Sequence, residues 1–99
     1  MIVRLTDQAE ADLETIGDRI AEDDPPRAAS FVRELREDCV GLYPMPGRFP
    51  LVPRYQGHGV RRRVHGNYLI FYRVMSPEVI VIRILHGAMD YEDLLFPAE

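Results

Sequence analysis

Along two stretches in the second half of the chain, a period of two places the side chains, most of them hydrophobic, alternately on two faces. Residues 68–74 and 79–86 are rich in β-branched and aromatic side chains, and a Ser-Pro turn signal lies in the linker 75–78. A period of two is typical of neighbouring strands in a sheet with two unlike faces. We therefore predict an antiparallel hairpin. On its second strand, the pattern places one set of side chains on the same face: Ile80, Ile82, Ile84 and His86.

The first half of the chain shows the longer period of an amphipathic helix. One such helix is predicted to begin after the capping residue Thr6 and to end at about Glu22. A second follows the cap Asp24 and ends near Gly41; the short break makes the two helices antiparallel neighbours. The apolar stripes are Ala9, Leu13, Ile16 and Ile20 in the first helix, and Ala28, Phe31, Val32, Leu35 and Cys39 in the second. Acidic residues lie largely away from the first stripe: Glu10, Asp12, Glu14 and Asp18.

The remaining segments complete one α+β domain that spans residues 1–99. Residues 1–5 predict a short strand, which must pair with a sheet supplied by the rest of the chain. Residues 43–59 form a loop rich in proline and glycine, residues 60–64 a strand, residues 65–67 a tight turn, and residues 90–95 a final helical turn before Pro97. The predicted order is an N-terminal strand, an antiparallel two-helix hairpin, a three-stranded antiparallel meander that completes one sheet, and a short C-terminal helical turn.

The net charge of −4 is divided unevenly along the chain. Residues 1–47 hold 5 arginines against 11 acidic residues, a balance of −6, whereas residues 48–87 hold 7 arginines against Glu78 alone, a balance of +6. An acidic front and a basic sheet suggest a surface suited to an anionic partner. All 12 basic residues are arginine, which excludes any mechanism that needs a lysine. The single Cys39, the charged N-terminus and the absence of a long apolar run predict a cytoplasmic protein without a membrane partner.

Two groups of residues carry candidate chemistry. The run Arg61-Arg62-Arg63 forms, with Arg73 and Arg83, a basic patch for phosphates or carboxylates; alternatively, three arginines on an edge strand discourage association between strands. His86, Asp90 and Tyr91 include acid–base groups suited to RNA chemistry; alternatively, His86 is a hydrogen-bonded core residue. His58, His65 and Cys39 lack metal-ligand spacing, so neither a metal nor a cofactor is expected.

Several motifs together resemble the ParE/RelE superfamily of bacterial type II toxin–antitoxin toxins. They are Thr-Asp-Gln-Ala-Glu-Ala-Asp-Leu at 6–13, Pro-Gly-Arg-Phe at 46–49, Val-Arg-Arg at 60–62, Tyr-Leu-Ile-Phe-Tyr-Arg-Val at 68–74 and Arg-Ile-Leu-His-Gly-Ala-Met-Asp at 83–90. The likeness covers nearly the whole chain, and its His-x-x-Met-Asp ending is similar to the ParE branch in particular.

The resemblance implies a partner and one of two targets. The partner is a ParD-like antitoxin, expected to lay an anionic, apolar-studded segment across the helix hairpin and the sheet edge. ParE proteins poison DNA gyrase by binding, whereas RelE proteins cut messenger RNA in the ribosomal A site with basic residues and a C-terminal tyrosine. Because lysine is missing and arginine is a poor general base, we predict gyrase binding, without sequence-specific nucleic-acid contact by the toxin itself. The alternative is a RelE-like ribonuclease that uses Arg61, His86 and Tyr91.

The resemblance and the charge pattern give two sets of candidate contacts. The predicted target-binding residues are Arg61, Arg62, Arg63, Arg73, Arg83, His86, Met89, Asp90 and Tyr91. The predicted antitoxin-binding residues are Leu13, Ile16, Ile20, Phe31, Leu35, Arg61 and Arg63.

Overall fold

Helices and strands occur in the predicted order throughout residues 2–96, the part of the chain that this computed structural model describes. The strands are β1 (Ile2–Leu5), β2 (Val60–His65), β3 (Tyr68–Met75) and β4 (Glu78–His86), and the α-helices are α1 (Asp7–Ala21), α2 (Pro25–Val40) and α3 (Tyr91–Leu95). The predicted α+β class is confirmed. Met1, predicted in the first strand, and Pro97, predicted to follow the last turn, lie outside the described residues.

The strands form one mixed sheet in the order β1-β4-β3-β2. β2, β3 and β4 make the predicted antiparallel meander, while β1 joins β4 in parallel, with Val3 opposite Val79. β2 is therefore an edge strand. A loop segment partly covers its outer side, because the Arg62 N–H donates to the Pro50 carbonyl at 3.0 Å and the Val52 N–H donates to the Val60 carbonyl at 2.8 Å.

Both helices of the hairpin begin at the predicted caps and pack on one face of the sheet. The Thr6 hydroxyl accepts from the Ala9 N–H at 3.1 Å and donates to the Ile82 carbonyl at 2.7 Å, so it both starts α1 and ties α1 to β4. Asp24 accepts from the Arg27 N–H at 3.2 Å at the start of α2. The core below the helices is formed by Ala9, Leu13, Ile16, Leu35, Cys39, Leu42, Ile70, Tyr72, Val79, Val81 and Ile84.

A second, smaller core lies on the opposite face of the sheet. Val52, Val60, Phe71 and Leu85 are buried there, and side chains from the 50–55 loop and from α3 pack around them. The short last helix is thus held by tertiary contacts, since five residues are too few to form a stable helix alone. No described helix is long and apolar enough to span a membrane.

One prediction about β4 is wrong because the sheet contains a bulge. Tyr72 pairs with Val81 and Phe71 pairs with Arg83, which leaves Ile82 as an extra residue. A bulge of this kind resets the alternation of side chains between faces. The predicted isoleucine face is therefore split: Ile84 packs against the helices, whereas Ile82 packs against the second core.

Candidate functional site

Arg61 holds the long loop to the sheet. Its Nη1 donates to the Phe49 carbonyl at 2.7 Å and to the Gly47 carbonyl at 3.1 Å. The hydroxyl of Tyr72, its neighbour on β3, donates to the Pro46 carbonyl in the same loop. Arg61 therefore satisfies backbone carbonyls that no strand or helix pairs, and much of its donor capacity is used inside the protein.

Arg63 fastens the same strand to α2. Its Nη1 donates to the Asp38 carbonyl at 2.9 Å, its Nη2 lies 3.4 Å from an Asp38 carboxylate oxygen, and the guanidinium lies 4.9 Å from the centre of the Phe49 ring. Both side chains of the ion pair are about four-fifths buried, with exposures of 22% and 21%. The pair joins the edge strand to the helix hairpin.

Arg62 faces the other side of the sheet, where it contacts the C-terminal helix. Its Nη1 donates to the Tyr91 hydroxyl at 3.0 Å, and the Tyr91 ring packs on Phe71 with 5.0 Å between ring centres. The three consecutive arginines therefore make three separate internal attachments. Neither the binding-patch interpretation nor the edge-protection interpretation predicted this role. The alternation of side chains along a strand did, however, place neighbouring arginines on different faces.

Arg83 is committed to an acidic residue of α1. Its Nε and Nη2 donate to the two carboxylate oxygens of Asp12 at 2.8 and 2.9 Å, and this ion pair raises the pKa of the guanidinium. Asp12 also accepts from the Ile84 N–H at 2.9 Å. Asp12, predicted to lie largely away from the core, is instead a structural residue that joins α1 to β4 beyond the end of β1.

Another attachment surrounds His65, which the sequence placed in a tight turn and which the structure places at the end of β2. Its Nδ1 lies 2.6 Å from Asp38 Oδ2 and its Nε2 lies 3.2 Å from Glu34 Oε1, both on α2. Arg27 bonds to Glu34 at 2.6 Å, and this hydrogen bond lowers the pKa of the Glu34 carboxyl. The network closes the hairpin onto the sheet edge. The sequence analysis did not predict this network, because His65 and its partners on α2 are about thirty residues apart in the chain.

Only part of the predicted target surface is accessible. Arg73, Met89 and Asp90 are exposed and His86 is half-buried. Met89 is 45% exposed. A hydrogen bond to Asp93 raises the pKa of the Asp90 carboxyl. Arg73 lies near the opposite end of the sheet from the other three residues, so the structure brings only His86, Met89 and Asp90 together.

His86 borders a cleft of about 250 Å³ between α1 and the end of β4. Its Nδ1 accepts from the Ala88 N–H at 3.0 Å, and its ring meets the Tyr68 ring edge-on at 5.1 Å between centres. The cleft is lined by Asp12, Thr15, Ile16, Arg19, Tyr68, Arg83, Ile84, Leu85, His86 and Met89. Thr15 and Arg19 were missed by the sequence analysis, because nothing local marks them as neighbours of β4.

The three residues of the predicted ribonuclease set do not share a site. Arg61 pairs with Tyr72 and His86 pairs with Tyr68, on the two strands that flank β3. Their backbones are thus roughly 13 Å apart along the strands and roughly 10 Å apart across them, from standard strand spacings. Tyr91 packs in the core on the opposite face of the sheet. One reacting phosphate group could not contact all three side chains in this arrangement.

The predicted antitoxin contacts on the hairpin require correction. Leu13, Ile16 and Leu35 are buried, with exposures of 1%, 6% and 0%. We remove Leu13 and Leu35 from the contact set, because the core between helices and sheet already covers them, whereas Ile16 still lines the cleft beside His86. Ile20 and Phe31 are partly buried at the margin of that core.

Cys39 lies in the core, and burial raises the pKa of its thiol to about 12. We expect no measurable reaction of the folded protein with a thiol reagent at pH 8, since the thiolate is the nucleophile. Because the folded pKa exceeds the usual value of about 8.5, the thiol's contribution to stability is complete below about pH 8.5 and is lost as the pH rises towards 12. Labelling with a chromogenic disulfide in increasing urea tests the expected lack of reactivity, and rapid labelling of the native protein would contradict it.

A family model described as the ParE toxin of the type II toxin–antitoxin system parDE matches residues 3–91. A solved chain of the chromosomal ParDE TA system from P. aeruginosa is 25% identical, with a TM-score of 0.76, covering 87% of this chain and 95% of that one. A chain of the toxin–antitoxin complex RelBE2 from Mycobacterium tuberculosis is 26% identical, with a TM-score of 0.65, covering 89% and 92%. No curated protein matches the sequence.

Proposed function

This chain belongs to the ParE toxin family of type II toxin–antitoxin systems, and on that premise we propose that it inhibits DNA gyrase by binding and has no catalytic activity of its own. The superfamily resemblance predicted from the sequence is confirmed. The choice between the gyrase target and a messenger RNA target is our proposal.

The separation of Arg61, His86 and Tyr91 is the observation that carries this proposal. A general acid–base pair must lie within hydrogen-bond reach of the same reacting groups. Two of the three residues are also fixed by internal bonds, Arg61 to loop carbonyls and Tyr91 to Arg62. The absence of lysine from the sequence points in the same direction. Binding, in contrast, needs only an accessible surface.

For the target surface, we propose the exposed end of the sheet where β4 leads into α3. His86, Met89 and Asp90 lie there, with Leu94 at 46% exposure on the following helix. Flexible and aliphatic side chains beside polar ones are the composition of a protein-binding surface. Arg62 and Arg83 make internal attachments next to this surface, whereas Arg61 and Arg63 hold the long loop and α2 to the edge strand. Arg73 is a separate exposed cation.

The second proposed partner is a ParD-like antitoxin that neutralises the toxin. Two solved relatives come from a ParDE system and from a RelBE2 toxin–antitoxin complex. Because the apolar stripes of the hairpin are sealed in the core, the antitoxin must find its apolar anchors at clefts and margins of the surface.

One observation favours the ribonuclease alternative. Arg62 and Tyr91 are adjacent, with 3.0 Å between Nη1 and the hydroxyl oxygen, and an arginine beside a tyrosine could contact an RNA phosphate. The imidazole of His86 is not available to this pair, because it lies on the helix-facing side of the sheet, against Tyr68.

We expect the purified protein in excess over gyrase to abolish supercoiling of a relaxed plasmid. In a culture that expresses the protein, we expect translated messages to stay intact. Supercoiling assays and primer extension measure the two outcomes, and the same protein unfolded by heat serves as the inactive control. Normal supercoiling at a large molar excess of folded toxin would contradict the proposal. Cut messages with normal supercoiling would establish the alternative.

A further inference from the structure

We propose that the cleft between α1 and the end of β4 is an anchor site for the antitoxin, filled by an aliphatic side chain whose neighbouring carboxylate pairs with Arg19. This inference rests on the antitoxin partner of the proposed function and is independent of the gyrase target.

The walls of the cleft are apolar at the base and polar at the rim. Ile84 and Ile16 are buried, with exposures of 1% and 6%, and they form the base. Thr15 and Arg19 on α1 and Met89 after β4 are exposed at the rim. An apolar side chain that enters the cleft is therefore removed from water. The residues next to it in its own chain then contact the charged and polar groups at the rim.

Hydrogen-bond donors exceed free acceptors around the cleft. The two oxygens of Asp12 already accept three bonds, from the Arg83 Nε and Nη2 and from the Ile84 N–H. His86 accepts at Nδ1 from the Ala88 N–H, which in the neutral ring leaves the proton on Nε2. Arg19 forms no ion pair with any residue between 2 and 96. A carboxylate is the group that this excess of donors selects.

The volume of the cleft suits a single side chain. Sites for drug-sized ligands occupy about 300–1,000 Å³, and this cleft holds about 250 Å³. One aliphatic residue beside one acidic residue is the size of a single anchor in a protein interface. Met89 at the rim has the flexible side chain that adapts to such an anchor.

Charge and accessibility favour the antitoxin as the occupant. An anionic segment with apolar anchors needs both an apolar opening and an uncompensated cation. The rest of the hairpin core offers neither, because Leu13 and Leu35 are covered. Here an apolar base and the unpaired Arg19 occur together. Charge complementarity of this kind directs the register of a bound segment.

The first test uses a defined probe. The peptide acetyl-Leu-Glu-Leu-amide is titrated into the ¹⁵N-labelled full chain, and amide shifts are expected at Arg19, Ile84, His86 and Met89. The matched peptide acetyl-Leu-Gln-Leu-amide, which lacks the charge, should bind at least about fivefold more weakly. Shifts confined to other surfaces would overturn the inference. Equal shifts of the same amides with inorganic phosphate would also overturn it, since the cleft would then select a free anion and not a peptide.

The second test uses the proposed antitoxin partner. Arg19→Glu is expected to raise the dissociation constant of the purified complex about tenfold or more, because one charge-assisted bond is lost and is replaced by repulsion. Arg33→Glu makes the same charge change at another exposed helical arginine and should alter the dissociation constant less than twofold. Equal affinities for the two variants would overturn the inference. Neither test includes gyrase. Both tests of the cleft can therefore be interpreted even if the supercoiling assay shows no inhibition of gyrase.

Discussion

Asp12→Ala is expected to lower the free energy of unfolding by about 3 kcal/mol, because it leaves two groups without a partner. The Arg83 guanidinium loses both carboxylate bonds, and the Ile84 N–H loses its acceptor. The side chains of this ion pair are only 13% and 19% exposed, so water replaces the lost bonds poorly. Urea denaturation at neutral pH, followed by circular dichroism, measures the change.

The control for this prediction is the double variant Asp12→Ala/Arg83→Met. Removing the second charge relieves the burial of an unpaired cation, so the double variant should be more stable than Asp12→Ala alone. Glu14→Ala, which removes an exposed carboxylate from the same helix, should change stability by less than about 0.5 kcal/mol. A loss below about 1 kcal/mol for Asp12→Ala would show that the ion pair contributes little to the attachment of α1.

Phe71→Ala is expected to cost about 3–5 kcal/mol, the largest loss for any single apolar truncation on the second face of the sheet. Phe71 is completely buried and lies at the centre of the core that the loop and α3 cover. Its removal also takes away the ring on which Tyr91 packs. With total stabilities of about 5–15 kcal/mol for domains, this variant approaches global unfolding.

Phe71→Leu and Phe31→Ala make the second prediction testable even if Phe71→Ala does not fold. Phe71→Leu keeps most of the apolar volume and should cost about 1 kcal/mol. Phe31→Ala removes the same ring from a partly buried position on α2, and its cost should be clearly smaller than that of Phe71→Ala. Equal losses at positions 71 and 31 would mean that the second core contributes no more than the margin of the first.

The sequence predicted the elements well because their signals are local. Thr6 and Asp24 cap the two helices where the pattern placed them. Alternation in residues 68–74 correctly separated Ile70 and Tyr72 from Leu69 and Phe71. The meander order followed from short connections, and the need of the first strand for a neighbour is met by β4.

The misses concern relations between distant residues. The bulge at Ile82 depends on how β4 pairs with β3, which periodicity within β4 does not encode. The apolar stripes of the hairpin were predicted as partner contacts, but a stripe that packs on a sheet and one that binds another protein have the same period. The arginines of β2 were predicted as an external patch, because the loop carbonyls and the carboxylate that hold them lie well away in the sequence.

The parallel pairing of β1 with β4 has a consequence for the time at which this protein becomes active. Ile2 lies opposite Glu78, so β1 cannot pair until residue 78 has left the ribosome. Contacts between such distant positions are slow to form because the intervening loop must be ordered first. During synthesis, the helix hairpin emerges while its sheet is still missing, and its apolar stripes are exposed. We expect the nascent toxin to be harmless until β4 has emerged, a delay in which a newly made antitoxin can meet it before the fold is complete.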